Sequence, residues 1–444
     1  MADGSGVSRG KGPSRSPRGR KLLPVGYKRC LANREFRRMQ PGFFVSFLGD
    51  GMGLLGVAWL ALQLAAPGSR AIVVGLSVAA YSLPGAVGSF TLGRWLSTKS
   101  TKSLIFMDSL LRGVLFALIG VLHWVRLLDA AAFVSLLAVS SLLHSWGIAG
   151  RQTFVAETLS YSDRLAGHSL VGAQETFSYI AGPPLAGLVA AAFGPAAVLV
   201  VDAVTYLYLA LMATRISGDG KVGGRPPVSW RRSARTLVRH SALLGLLFLS
   251  FGFNLLYGPI EVAVPVFVAG HFGGAAQLGW IWGAFGVGAV IGSLLTGTLR
   301  RLPFWPAILT IVAAWGLVML PLAQFGILAV WIVGFGLGGL IYAPYGPLSI
   351  TLLQQKAPFD ELVTVSAFRS AVLVIASPLG AGLGGLLVAG FGSTGTIRLS
   401  GLTTIALAVV GAVAVLLVRL RRRSGDHPDP SDSDRQLATS HQES

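Results

Sequence analysis

From about residue 43 to residue 419 the chain alternates between long apolar runs and short polar interruptions. Twelve runs stand out, at about 43–65, 71–93, 103–125, 130–150, 166–192, 195–214, 241–268, 276–299, 304–324, 326–353, 363–391 and 397–419. Each is long enough to cross a ~30 Å hydrocarbon layer at 1.5 Å per helical residue. None has the short, alternating pattern of a membrane strand, so the pattern predicts an all-α polytopic bundle of twelve transmembrane helices. Residues 1–40 are basic and rich in Ser, Gly and Pro, and predict a disordered tail. The stretch is not a secretory signal, because its basic part is too long and no small-residue cleavage site follows the first apolar run. The longest polar interruption, 218–239, separates two halves, 41–217 and 240–420, and the Ser/Asp-rich stretch 421–444 reads as a second disordered tail.

The halves repeat one another. Ser46-Phe-Leu-Gly-Asp50 returns as Ser250-Phe-Gly-Phe-Asn254, and Gly88 to Gly93 as Gly292 to Gly297, both at an offset of 204. Asp163-Arg164-Leu165 returns as Asp360-Glu361-Leu362 at 197, and Gly187 with Phe193-Gly194 as Gly385 with Phe391-Gly392 at 198. Four matches in one order predict two pseudo-symmetric six-helix halves.

Composition agrees with lipid as the solvent for most of the chain: 53% of residues are hydrophobic and 12% charged, against about 25% charged in a soluble domain. The formal charge of +18 does not indicate nucleic acid, because the cations occupy the head and alternate loops and form no single stripe. Arg94, Lys99, Lys102, Arg151, Arg164, the 215–239 stretch, Arg300, Arg301, Lys356 and Arg419 to Arg423 fall on one side; Arg70, Arg126 and Arg398 fall on the other. The excess places the first side, and both termini, in the cytoplasm, with the basic head resting on anionic lipid. One cysteine, Cys30, allows no internal disulfide and no Cys-based metal site.

Several stretches resemble the major facilitator superfamily (MFS), and within it the twelve-helix drug/proton antiporter branch near the macrolide and enterobactin exporters. These are SFLGD at 46–50, Arg151-Gln152, Asp163-Arg164-Leu165, GPPLAG at 182–187, and TLLQQKAPFDELVTVSAFRS at 351–370 followed by Pro378-Leu379-Gly380-Ala381. The resemblance covers about residues 41–420. It implies an efflux antiporter working by alternating access, with its site between the halves. Two departures stand out. The family's loop motif Gly-x-x-x-Asp-Arg-x-Gly-Arg, aligned on Arg94, has Ser89 for the Gly and Gly93 for the Asp. The fourth span lacks the buried Arg of many proton antiporters, and His144 is the titratable group inside it.

Acids inside apolar runs cost roughly 2.5–3.5 kcal/mol each on insertion scales, so they are functional candidates by default. Asp50, Glu175 and Glu261 are the proton-coupling candidates; the alternative for each is a structural hydrogen bond. Asp50 lies toward the cytoplasmic side, and Glu175, with Tyr179 one turn on, meets the central cavity that the resemblance implies. Asn254, Tyr257 and Glu261 share one stripe of the seventh span. Asp108 and Arg112, four apart, form a predicted pair that is more often structural. Arg94, Arg151 and Arg369 complete the charge-pair and gating candidates, with snorkelling as the alternative for Arg369. Asp202 reads as a wet residue near the outer end. His144 and the aromatics Tyr81, Trp146, Trp280, Trp282, Phe285, Tyr342 and Tyr345 are pocket candidates; for any single one, packing or interfacial anchoring is the competing role. Pro183, Pro184 and Pro378 break the backbone ladder in symmetry-related helices and mark flex points of a rocking motion.

No Walker A loop, zinc motif or nucleophile elbow occurs. The expectation is therefore a non-enzymatic, multi-pass cell-membrane transporter without a cofactor, monomeric, exporting small amphipathic molecules at the expense of a proton gradient. Two other readings stay open: an uptake or lipid-moving facilitator of the same fold, and a transport-dead membrane sensor or scaffold.

Overall fold

The computed structural model describes residues 25–96, 98–216, 235, 240–297, 303–358 and 361–425. Most of the predicted 218–239 linker, and residues 426–444 of the predicted 421–444 tail, lie outside the described residues; the tail expectation is corrected at 421–425, which continue the last helix. Among the described residues, eleven helices are long and apolar enough to cross a membrane, and the last, Phe368–Val418, holds two crossings joined at Gly392. Gly392 has φ 69° and ψ 169°, a left-handed conformation that a side chain would strain, and there the chain reverses. Twelve crossings result. The first six are Arg34–Leu64, Arg70–Thr91, Thr101–Trp124, Ala130–Thr158, Arg164–Phe193 and Pro195–Ala213. The seventh to tenth are Ser241–His271, Ala275–Leu295, Phe304–Leu322 and Leu328–Lys356; the eleventh runs from Leu362 to Gly392, and the twelfth continues to Gly425.

Three crossings are broken where unbroken runs were predicted. The fourth divides into Ala130–Ser141 and His144–Thr158, where Ser140 and Ser141 turn their hydroxyls onto the backbone oxygens of Leu137 and Ala138. The tenth divides into Leu328–Tyr342 and Tyr345–Lys356 beside Pro344, which has no N–H to continue the ladder. The eleventh divides into Leu362–Val374 and a segment from Ala376.

The head is also more ordered than predicted. The 1–40 tail expectation is corrected from Val25 onward: Val25–Ala32 is a helix, and the first crossing begins at Arg34. Asn33 caps that crossing, accepting from the Glu35 and Phe36 N–H groups at 3.0 Å each, and donates to the Thr158 carbonyl at 2.9 Å. Arg29 pairs with Asp163 at 3.2 Å. Cys30, Phe36 and Met39 are buried against Val155 and Leu159. The basic residues that suggested disorder, Lys28, Arg29, Arg34, Arg37 and Arg38, stay exposed around this apolar seam.

The repeat is visible in the packing. Gly182 of the fifth crossing lies on the backbone of Gly51 in the first; Gly380 of the eleventh lies on Leu255 in the seventh. These positions are related by the offsets of 198 and 204. Likewise Gly88 meets Leu142, and its repeat Gly292 meets Leu340. Between the halves, the fifth crossing packs on the eighth and the second on the eleventh. Glycine meets glycine where Gly187 lies on Gly279 and Gly75 on Gly385, at the end of the bundle that carries the 65–69 and 272–274 turns.

Because a Cβ on Gly182 or Gly380 has only neighbouring backbone to displace, G182A and G380A are each expected to destabilise the protein by about 1–3 kcal/mol. G390A, whose added methyl meets nothing within 4 Å, leaves stability within about 0.5 kcal/mol of the wild type. Thermal unfolding of the detergent-solubilised variants checks the contrast.

Candidate functional site

Two lobes of one cavity lie between the halves. The first, about 400 Å³, is mostly apolar and is walled by Leu54, Ile180, Pro183, Tyr257, Trp282 and Phe285. The second, about 380 Å³, is the more polar of the two and receives His144, Arg151, Gln152, His168, Glu175 and Ser377. Asp50, Leu54, Tyr179 and Glu261 border both lobes. The polar lobe reaches Val155 and His168, flanking the 159–163 turn, so the cavity extends away from the glycine contacts that close the other end.

The N-terminal wall carries a buried charge network. Asp50 pairs with Arg112 at 3.5 Å and with Arg151 at 3.9 Å. Tyr206 bridges them: it accepts from Arg112 Nη1 at 2.6 Å and donates to Asp50. Arg112 is fully buried and also meets Asp108 at 3.9 Å. Its guanidinium lies 5.3 Å from the centre of the Tyr81 ring and 5.4 Å from that of Tyr206, and Phe116 packs against both rings. Four crossings thus converge on one carboxylate: the first brings Asp50, the third Arg112, the fourth Arg151 and the sixth Tyr206. Of this network, Asp50, Arg151 and the Tyr81 ring border the cavity.

The C-terminal wall is built differently. Glu261 accepts a hydrogen bond from Ser377 at 3.0 Å and has no cation within 4 Å among the described residues. Asn254, which repeats Asp50, is not at the cavity; it donates to the Ser250 carbonyl of its own helix at 2.8 Å. Arg369 is also outside both lobes, held by Ser349 at 3.0 Å and Ser250 at 3.4 Å; Ser250 in turn accepts from Tyr345 at 2.8 Å. The two halves therefore present a neutralised acid on one side and an acid bound only by a hydroxyl on the other.

The remaining predicted site residues divide clearly. Glu175 and Tyr179 face the polar lobe, and Pro183 and Pro378 line the two lobes, while Pro184 packs on Gly283 across the halves. Tyr342 forms a second layer behind Tyr257 and Phe285, with ring centres 5.7 and 5.9 Å away. Trp280 is corrected: it is half-exposed on the outer face, and Trp282, two residues on, turns inward. Trp146 does not border the cavity. The Arg94 side chain lies outside the described residues. Asp202, predicted to be wet, is fully buried. Sequence reasoning missed Tyr206, although its position four residues after Asp202 puts both on one helix face. It also missed Ser377, whose position beside Pro378 was the available signal. Among the described residues no cluster of three or more His, Cys, Asp or Glu could hold a metal ion.

A twelve-crossing bundle of two repeated halves around a central cavity is the architecture of a membrane transporter. Residues 41–368 match the Major Facilitator Superfamily, and the chain belongs to that family. It is 27% identical over 406 residues to the multidrug efflux pump Tap of Mycobacterium tuberculosis, covering 86% of this chain and 94% of Tap. It is 29% identical over 195 residues to the enterobactin exporter EntS of Citrobacter koseri, covering 43% of this chain and 46% of EntS. The fold is similar to that of the nucleoside transporter NupG, at a TM-score of 0.68 and 11% identity over 86% of this chain and 98% of NupG. It is also similar to a bacterial homologue of the lysosomal transporter Spinster in an inward-facing, unoccupied conformation, at 0.66 and 12% over 92% and 100%.

Removing Arg112 leaves Asp50 and Asp108 with weakened compensation inside the bundle. R112A is expected to cost about 3–5 kcal/mol of stability, and adding D50N is expected to recover part of that loss. Thermal unfolding of the single and double variants measures the coupling.

Proposed function

We propose that this transporter exports small amphipathic molecules in exchange for protons. The observation that carries the reading is the shared border of the two lobes, where carboxylates from opposite halves, Asp50 and Glu261, meet an aromatic wall. An apolar lobe of about 400 Å³ suits the ring system of a drug-sized molecule, and a few convergent polar groups orient it. Glu261, neutralised by no guanidinium, is the acid that a proton and a polar substrate group would compete for. Asp50 is already committed to Arg112, Arg151 and Tyr206, and its role is to hold the N-terminal wall in one arrangement. With the 159–163 side in the cytoplasm, as the loop charges imply, the cavity is open inward and closed outward. The working unit is then one chain in the cell membrane with both termini inside.

The export direction draws on Tap and EntS, whose names describe efflux. The energetics are sufficient: one proton moving down a 100 mV potential supplies about 2.3 kcal/mol. Two observations favour transport over a sensor or scaffold. The cavity spans both halves, and the halves close on it through small-residue contacts that a rocking motion can open.

Inverted membrane vesicles carrying the protein test the proposal. Adding an exported compound from a panel of aromatic amphiphiles is expected to dissipate a preformed proton gradient, with at least a tenfold loss of rate in E261Q. A panel without any responding compound, or E261Q at the wild-type rate, contradicts it.

A further inference from the structure

The polar groups behind the cavity wall do not balance. Two guanidinium groups, Arg112 and Arg151, share the N-terminal interior with three carboxylates, Asp50, Asp108 and Asp202. Asp50 has two cations and the Tyr206 hydroxyl; Asp108 has Arg112. Asp202, fully buried in the sixth crossing, has no cation within 4 Å among the described residues. Its Oδ1 accepts from Thr205 at 3.1 Å, and its Oδ2 has no hydrogen-bond partner.

The packing around Asp202 is close. It presses on the first crossing at two glycines: a Cβ on Gly49 would strike both Asp202 Oδ1 and Thr205, and one on Gly53 would lie 2.5 Å from the Tyr81 hydroxyl and 3.1 Å from Asp202 Oδ2. The free oxygen and the Tyr81 hydroxyl therefore converge on the same bare stretch of helix. Tyr81 itself borders the polar lobe. The groups facing Asp202 are Asp50 from the first crossing, Tyr81 from the second, Arg112 from the third and Tyr206 from its own helix. The fifth crossing, which also packs on the sixth, turns Glu175 and Tyr179 to the cavity.

We propose that Asp202 is a proton-binding site concealed behind the cavity wall, reached from the polar lobe past the Tyr81 hydroxyl. A third uncompensated negative charge in this interior would be costly, and a proton on the one acid without a cation removes it. A hard divalent cation does not fit the place. It would need six or more oxygen ligands of the kind that hard cations gather, whereas the Asp202 carboxylate and the Thr205 and Tyr81 hydroxyls fill the space against Gly49 and Gly53. A proton needs only the free Oδ2. Its part in transport rests on the proton coupling proposed above; the binding itself does not.

Infrared difference spectroscopy of the purified full-length protein across a pH titration tests this, reading the carbonyl stretch of protonated carboxyl groups. The wild type is expected to show a band that D202N loses and D108N keeps. Should D202N fail to fold, T205V provides the second reading, because it keeps the acid, removes its hydrogen-bond donor and shifts the band. Y81F is expected to keep the band and slow its response to a pH jump at least tenfold. Survival of the band in D202N, no shift in T205V, loss of the band in D108N alone, or its displacement by sodium at constant pH overturns the site. An unchanged rate in Y81F overturns the route past Tyr81. A wild type without proton-driven transport would sink the exchange mechanism and leave this measurement standing.

Discussion

Charge burial in a low-dielectric interior constrains this molecule more than any other effect. A guanidinium as enclosed as Arg112 stays in place only if carboxylates and aromatic faces surround it, and here Asp50, Asp108, Tyr81 and Tyr206 do so. That requirement ties the first, second, third and sixth crossings into one body. Arg151, reaching Asp50 from the other side at 3.9 Å, adds the fourth. Among its described residues the C-terminal half has no such knot. Its Arg369 donates only to the hydroxyls of Ser349 and Ser250 among the described residues, its repeat of Asp50 is the neutral Asn254, and its aromatic layer of Phe253, Tyr257, Trp315 and Tyr342 supplies the cohesion. Equivalent backbones therefore carry unequal chemistry, and the difference falls on the two walls of one cavity.

Much of this was legible in the chain. Apolar run length is enough to count crossings, because the bilayer thickness sets a fixed requirement. The repeat offsets of 204 and 198 reappear as equivalent glycine contacts, since close helix approach tolerates few residue types. Asp50, Glu175 and Glu261 could be singled out from the cost of a charge in lipid alone, and all three reach the cavity.

What the chain did not reveal depends on rotation about helix axes. Trp280 and Trp282 are two residues apart and point to opposite solvents, one to the outer face and one to the cavity. Asp202 read as wet because its depth along the helix was judged without its facing direction, which turns it onto Gly49 and Gly53. Tyr206, flanked in sequence by the hydroxyls of Thr205 and Tyr208, became meaningful only when Arg112 and Asp50 met on it. The helical head escaped notice for a related reason: Cys30, Phe36 and Met39 form a thin apolar seam inside a segment dominated by exposed arginines.

The central claim is that a proton and a substrate group compete for Glu261 at the border of the two lobes. Binding-linked proton release tests it most directly, with purified protein in weak buffer mixed with an exported compound while pH is followed by an indicator dye. The account predicts proton release that saturates with binding and disappears in E261Q. Saturable binding by the wild type with no release of protons would contradict it.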